Sequence, residues 1–386
     1  MRGKLNIGIA GAGVGGLAAA AYLARAGHHV TVFDQFDAPA PVGSGLLIQP
    51  VGQLVLAELG VLDQALKLGA RIERMEGTEA RAQRRVLDVT YDPKGVRFGL
   101  ALHRATLHHL LLEAARSAGA QLVANALVSS SLLVKNRREL TTHAGISNHD
   151  LVIDASGADS PLSPLRAKPL PFGALWSVAA LRSETSPTIL AQAYRRADRM
   201  AGILPIGRLP GSDENLAAVF WSLSSEGYGA WQARGFDAWR DEARGLWPAY
   251  GAYADALPGP ETMTFARYSH GTLRKPFDDR LAYIGDAAHR TSPQLGQGAN
   301  MALLDASALA KALADHPVPD ALSAYAAGRR AHVFAYQTIS QVFTPLYQSN
   351  SRMIPIIRDR LLTPLTRLGF SQRILSRLIA GDLINP

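Results

Sequence analysis

The stretch LNIGIAGAGVGGLAAAAYLARAGHHVTVFD, Leu5 to Asp34, constrains the fold more than any other part of the chain. LNIGIA is a short apolar run of strand type, GAGVGG interrupts it, and LAAAAYLARAG has helical spacing with Gly27 placed to end the helix. HHVTVFD resumes as a second strand. Strand, glycine turn, helix and strand make a βαβ unit. The run from Leu5 to Ala24 carries no charge and follows Arg2 and Lys4, so a signal peptide and a membrane span with Gly11-x-x-x-Gly15 are competing readings. The glycine break and the resumed strand favour a soluble βαβ unit.

Gly11-x-Gly13-x-x-Gly16 sits between that strand and that helix, as a dinucleotide fingerprint requires. Gly11 permits the tight turn, Gly13 lets the backbone approach a pyrophosphate, and Gly16 lets helix pack on sheet. Ala12, Val14 and Gly15 complete the turn, and the helix start offers free N–H groups to phosphates. Asp34 ends the second strand, where a carboxylate accepts from ribose hydroxyls and disfavours a 2′-phosphate. A turn or cap role is the plain alternative for Asp34. On these residues alone, NAD and FAD fit equally well.

The chain has 386 residues, 47% of them hydrophobic and 19% charged, enough for a large core and two domains. The net charge of +8 is spread without a block of nucleic-acid type. Its densest part, Arg352 to Arg377, holds six Arg against one Asp; a solvated helix face is the simplest reading, with a dimer face, a lid or a membrane-surface helix left open. The absence of cysteine excludes disulfides, thiol nucleophiles and thiolate metal sites. His103, His108 and His109 lack metal-ligand spacing, so no metal is expected.

Beyond the βαβ unit, GSGLLIQP (Gly43–Pro50) reads as a loop and Val51–Leu59 as a helix ended by Gly60. Arg71–Phe98 alternates as antiparallel strands with a turn at Asp92-Pro93, and LHRATLHHLLLEAARSAG is helical up to Gly119. DLVIDASG is a buried strand running into a loop. Phe172–Tyr268 is strand-rich and aromatic, interrupted by the helical insert WQARGFDAWRDEARGLW. RLAYIGD is one more short strand, a long helix begins near Asn300, and the chain after about Leu322 is mostly helical. The expected fold class is α/β: a Rossmann-like, mostly parallel sheet with an inserted antiparallel-sheet domain and a helical C-terminal region. Residues 1–70, 100–171 and 270–320 form the discontinuous nucleotide domain, 71–99 and 172–269 the antiparallel substrate layer, and 321–386 the C-terminal region.

Two further stretches bear on the nucleotide. Arg104, in HRATL, puts a cation at a helix start, where the dipole is unfavourable; an anionic ligand or a salt bridge to a nearby acid would offset it. IGDAAHRTSPQLGQGAN, Ile284–Asn300, places Asp286 at a strand end, with an N-cap as its alternative role. Pro293 then stiffens the loop, and Gly296-Gln297-Gly298 opens a helix. No ribose acid follows this second glycine turn, so it suits a developing negative charge rather than a second set of phosphates.

GAGVGG, HRATLHHLLLEAA and IGDAAHRTSPQLGQGANMALLDASALAKAL together resemble the single-component FAD-dependent aromatic hydroxylases, the p-hydroxybenzoate hydroxylase-like monooxygenases, over about Ile7 to Leu313. The resemblance implies that Gly11, Gly13 and Gly16 hold the FAD pyrophosphate and Asp34 the adenosine ribose. It sets Val128 near the adenine by backbone, Arg104 at the ribityl-phosphate region and Asp286 on the ribityl chain. It puts Pro293 beside the isoalloxazine and Gly296, Gln297, Gly298, Ala299 and Asn300 along its pyrimidine edge. A helix N-terminus there suits the charge of reduced flavin.

The family's Asp-Gly-x-x-Ser-x-x-Arg, tied to FAD and NAD(P)H binding, appears here as Asp159-Ser160-x-x-Ser163-x-x-Arg166. If the second position needs a positive φ or close backbone approach, Ser160 carries strain and reduction by NAD(P)H suffers.

The implied activity is hydroxylation of an aromatic or heteroaromatic small molecule with NADH or NADPH as transient co-substrate and O2, through a flavin C4a-hydroperoxide in a dry pocket. Pocket candidates are Tyr194, Trp221 and Tyr268, each with a packing role as the alternative, together with Pro293. His270 and His289 read as structural, and Arg182 as a surface residue rather than a substrate clamp. A reductase or oxidase of the same fold and a non-catalytic FAD-binding protein are the alternatives; no Tyr-x-x-x-Lys and no Trp-x-Trp-x-Ile-Pro occurs. The expected setting is cytoplasmic, away from nucleic acid and membrane, with a homodimer left open.

Overall fold

The apolar run Asn6–Ala10 forms the centre of a six-stranded sheet in the computed structural model, which describes residues 3–37, 44–366 and 368–385. Asn6–Ala10 pairs in parallel with His29–Phe33 on one side and Leu151–Asp154 on the other. Gln121–Val123 and Leu281–Tyr283 extend the parallel set, and only the edge strand Phe277–Asp278 is antiparallel. Helices Val14–Arg25, Arg104–Ser117 and Gly298–Asp315 pack in the largest core cluster, where the alanine run Ala18–Ala21 is fully buried. Small side chains let these helices approach closely. The expected terminators hold: Gly27, Gly60 and Gly119 all take positive φ just beyond helix ends.

The second layer is an eight-stranded sheet. Its spatial order is His289–Arg290, Thr264–Thr272, Lys168–Ala180, Leu216–Ser224, Arg199–Gly207, Ile189–Arg195, Arg74–Glu79 and Arg84–Thr90. Ile189–Arg195 pairs in parallel with Arg74–Glu79, so the early and late strands form one sheet. The helical insert, Gly227–Arg234, Phe236–Leu246 and Pro248–Ala256, covers the face carrying Trp221. The C-terminal region begins with helix Val318–Tyr347 and ends with Gly369–Ala380. No described helix is long and apolar enough to cross a membrane.

Two expectations need correction. The stretch expected as a loop, Gly43–Pro50, contains the strand Gly45–Ile48, with Gly43 itself outside the described residues. Its partner is Gly99–His103, so the following helix starts at Arg104 rather than Leu102. Four apolar residues become a strand here because a distant segment supplies the backbone partners, which local pattern does not reveal.

Trp221 is the second correction. Across Leu216–Ser224 successive side chains alternate between faces. Phe220 faces the cleft described below, whereas Trp221 is buried on the other face against Trp239 and Tyr250, with ring centroids 6.1 and 5.8 Å away. The Arg199 guanidinium lies 5.6 Å over its ring. Trp221 packs the insert onto the sheet and does not reach the cleft.

Candidate active site

Two cavities meet in the groove between the sheets, of about 490 and 520 Å³. Leu46, Arg104, Asp286, Gly298 and Ala299 line both, so they form one continuous cleft. The first cavity runs along the carboxyl ends of Asn6–Ala10 and His29–Phe33, where open α/β sheets bind ligands. Gly11, Ala12, Gly13, Val14, Gly15, Asp34, Val128 and Asp159 line it.

The three fingerprint glycines differ physically. Gly11 has φ +98°, and a Cβ there would meet the Ala155 carbonyl oxygen at 2.6 Å. Gly16 lies off the cleft, and a Cβ would overlap the Gly11 carbonyl. A Cβ on Gly13 would meet nothing within 4 Å, since this glycine faces the cleft. Gly11 and Gly16 therefore serve the chain's own packing, while Gly13 keeps space clear for a ligand. Asp34 is buried and accepts from the N–H groups of Ala12 and Phe36, at 2.7 and 3.0 Å. Its cap role and its place in the cleft wall thus coexist.

Helices Val14–Arg25 and Gly298–Asp315 both begin at the cleft, and neither has a side-chain N-cap or an acid in its first turn. Two uncapped, electropositive N-termini facing one groove suit an anion at each end. Gly296 has φ +60°, which shapes the turn before the second helix. Asn300 fixes that turn by donating to the Leu47 and Gly296 carbonyls and accepting from the Gln49 N–H. Gln297 donates to the Ile379 carbonyl. Gln297 and Asn300 are buried behind the wall, and this segment reaches the groove through Gly296, Gly298 and Ala299.

Arg104 and Asp286 stand where the cavities join. Both are exposed to the cleft, yet protein surrounds the cleft on its other sides. Enclosure lowers the Arg104 pKa against the opposing charge of Asp286, and raises that of the Asp286 carboxyl against His289, Arg104 and Arg290. Among the described residues Arg104 has no ion-pair partner within 4 Å and the Asp286 carboxylate accepts no hydrogen bond. The salt-bridge alternative for Arg104 therefore has no partner. Ser44 Oγ and Gln294 Nε2, which also border the second cavity, are buried without a partner inside the chain.

Ser160 is unstrained. The positive φ of this loop falls on Gly157, at +83°, and Ser160 is not among the non-glycine residues with positive φ. Its hydroxyl donates to Asp154 Oδ2 at 2.6 Å and accepts from the N–H groups of Leu162 and Ser163. Asp154 is buried, and burial raises its carboxyl pKa, opposed by the Ser160 and Ser156 hydrogen bonds. Ser160→Gly should lower unfolding free energy by about 1 kcal/mol. Chemical denaturation checks this; a gain in stability would show that the serine strains the loop.

Of the pocket candidates, Tyr194, Tyr268 and Pro293 line the second cavity. His289 is held by Asp305 at 2.6 Å, and Asp305 by Arg329 at 2.9 Å, all buried. His270 bonds Ser340, and Arg182 pairs with Glu184 away from the cleft. Sequence reasoning missed Trp176, Gln192, Phe220 and the C-terminal residues Phe343, Tyr347, Gln348, Leu375, Leu378 and Ile379, which close the second cavity. The helical spacing of the tail was the one available signal, and it does not say what the tail covers.

A groove with a glycine turn and a strand-end acid at one end, an arginine without an ion-pair partner midway and a second uncapped helix at the other fits a flavin dinucleotide, and defines a flavoprotein. The chain belongs to the family of the FAD binding domain, whose model matches residues 4–137 and 194–339, and within it to the FAD-dependent aromatic hydroxylases. It is an FAD-dependent monooxygenase. It is 25% identical to an FAD-dependent urate hydroxylase of Mycolicibacterium vanbaalenii, over 84% of each chain. It is 26% identical to 3-hydroxybenzoate 6-hydroxylase 1 of Aquipseudomonas alcaligenes, over 96% of each. The crystal structure of Klebsiella pneumoniae HpxO with FAD and uric acid superposes with a TM-score of 0.82 at 19% identity, covering 97% of each chain.

Proposed function

We propose that the protein hydroxylates an aromatic or heteroaromatic small molecule, using NADH or NADPH as transient reductant and O2. The observation that carries this reading is the second cavity. It opens directly off the cofactor groove at Arg104 and Asp286, and the rest of its lining is mostly aromatic and aliphatic, interrupted by uncharged polar side chains such as Gln192, Gln294 and Gln348. The substrates named for the two relatives, urate and a hydroxybenzoate, are heteroaromatic and aromatic rings, which supports a ring as the substrate of this cavity without fixing its substituents. Segments 1–70, 100–171 and 270–320 serve the cofactor, while 71–99, 172–269 and part of 321–386 serve the substrate. The cytoplasm is the proposed setting, and a homodimer the proposed assembly.

The residues present fit FAD. Gly13 would leave room for the pyrophosphate, and Asp34, Val128 and Asp159, which line the same cavity, would face the ribose and adenine end. Arg104 and Asp286, at the junction of the cavities, would hold the ribityl-phosphate and ribityl parts, and Pro293, Gly296, Gly298 and Ala299, which line the second cavity, would border the ring. When bound, FAD supplies hydride acceptance and oxygen activation. The chain supplies the setting. The uncapped N–H groups opening helix Gly298–Asp315 would stabilise negative charge on a ring held there.

Tyr268 accepts from Trp176 Nε1 at 2.8 Å, and burial raises its pKa well above the phenolic range, so its hydroxyl keeps a proton to donate. Tyr194 donates to Gln192 Oε1 at 2.6 Å and is likewise held protonated by burial. Neither tyrosine serves as a base at neutral pH. The aromatic walls exclude water from the reacting atoms.

The test is steady-state NADH and NADPH oxidation by the FAD-loaded protein across a panel of phenolic and heteroaromatic ligands, with product analysis. The expected result is ligand-stimulated oxidation matched by a hydroxylated product. Oxidation that no ligand stimulates would contradict the proposal. Asp286→Ala should weaken FAD binding about tenfold or more. Fluorescence titration checks this, and unchanged affinity would refute the ribityl assignment.

A further inference from the structure

We infer that the substrate is uncharged, an aromatic compound with a bulky apolar body and no carboxylate, recognised through the neutral amides of Gln192 and Gln348. This deepens the hydroxylase reading and rests on it. Among the described residues lining the 520 Å³ cavity, Arg104 and Asp286 are the only charged ones, and both stand at its junction with the cofactor groove. Arg358 lies behind the wall. Its guanidinium lies 5.2 and 5.3 Å from the ring centroids of Tyr194 and Tyr347, which stand in the cavity wall, and Asp359 pairs with it at 2.7 Å. A substrate carboxylate in the far part of the cavity would therefore be buried with no countercharge, which is strongly unfavourable.

The wall has instead two kinds of apolar surface. Trp176 and Phe220, 4.7 Å apart and tilted by 37°, and Tyr194 and Tyr347, 5.5 Å apart and tilted by 45°, give an aromatic surface. Met75, Leu87, Val89, Leu190, Leu375 and Ile379 give an aliphatic surface for the rest of the molecule. Among the uncharged polar side chains that interrupt it are two glutamines. Gln348 is 3% exposed; one end of its amide bonds Ser222 at 3.0 Å, and the other is buried without a partner inside the chain. Gln192 accepts the Tyr194 proton through Oε1, while its Nε2 has only the Met200 sulfur at 3.8 Å. Gln348 Oε1, an acceptor without a partner, and Gln192 Nε2, a donor held only by a thioether, match a hydroxyl and a carbonyl or ring nitrogen on a neutral ligand.

The test uses two probes that share a naphthol ring and differ by a carboxylate, 2-naphthol and 3-hydroxy-2-naphthoate. Each is titrated into the FAD-loaded protein at neutral pH, followed by the flavin spectrum, and then assayed for hydroxylated product with NADH and NADPH. The expected result is 2-naphthol binding on the order of 100-fold tighter than the carboxylate. Gln348→Leu should weaken 2-naphthol about tenfold. Gln192→Arg, which supplies the missing cation, should narrow or reverse the preference, with retained flavin absorbance reporting an intact site.

A carboxylate that binds within tenfold of 2-naphthol, or tighter, overturns the inference; if it is also hydroxylated, the hydroxylase reading stands without it. Tight 2-naphthol binding with no product from either probe upholds the neutral pocket and overturns the hydroxylase reading.

Discussion

Gly13→Thr should fold as well as the parent chain and bind FAD on the order of 100-fold more weakly. The expectation comes from contrasting two glycines three residues apart. At Gly13 the backbone is extended, with φ −75° and ψ −175° at the helix N-cap, where threonine is as acceptable as glycine. A side chain there meets nothing of the chain within 4 Å, so its cost falls on the pyrophosphate alone. Gly16→Ala has the opposite signature. Its methyl would overlap the Gly11 carbonyl and press on Ala155 Cβ at 3.2 Å, forcing helix Val14–Arg25 off the sheet. A loss of about 3 kcal/mol follows, visible without any cofactor. Thermal melts of the two variants without FAD, beside fluorescence titrations with FAD, separate the roles. If Gly13→Thr melts as low as Gly16→Ala, the assignment of Gly13 to the ligand fails.

The second large effect lies behind the cleft. Asp305 is fully buried and accepts from three sides: the Gly285 N–H at 2.9 Å, His289 at 2.6 Å and Arg329 at 2.9 Å. It thereby ties the Gly285–Ala287 turn, which carries Asp286, to helices Gly298–Asp315 and Val318–Tyr347. Asp305→Asn leaves the Arg329 charge buried without its counterion and should cost about 3–5 kcal/mol.

The pH dependence has a definite sign. Burial alone would raise the Asp305 pKa, but the charges of His289 and Arg329 outweigh it and hold the carboxyl well below its ordinary range. That contribution is fully present above the pKa of the unfolded carboxyl and is lost as pH falls toward the lower folded value. Burial lowers and Asp305 raises the His289 pKa, with the raising effect ahead, so this contribution is present below the unfolded imidazole pKa and is lost as pH rises through the folded one. The stability gap between parent and Asp305→Asn should therefore be widest in weak acid and shrink in strong acid. Urea denaturation across that range measures it, and a gap that widens in strong acid would contradict the assignment.

The parts of this architecture legible in the sequence are those fixed by local chemistry. Gly11 at φ +98°, the terminators Gly27 and Gly119, and the lone acid ending His29–Phe33 each follow from a constraint that acts within a few residues. Asp286 and Arg104 were legible because a charge at a strand end or helix start lacks a local reason. What escaped depends on register and on contacts distant in the chain. Trp221 and Phe220 are neighbours, and only the pairing of Trp176 with Phe220 and Leu175 with Trp221 decides which of them faces the cleft. Gln348 and Ile379 reach the substrate cavity because the C-terminal helices fold back over the sheet, which their amphipathic spacing alone does not disclose. Ser160 looked like a departure under strain, yet Gly157 supplies the left-handed residue three positions earlier.

The central claim is that one cleft holds FAD at Arg104 and Asp286 and delivers oxygen to a ring in the adjoining cavity. The most direct measurement is turnover of the purified, FAD-loaded protein with NADH or NADPH and 2-naphthol under ¹⁸O2, followed by mass spectrometry of the product. The account predicts a yellow protein and a product carrying one ¹⁸O atom per molecule. A protein that retains no FAD, or a hydroxylated product whose new oxygen comes from water, would contradict it.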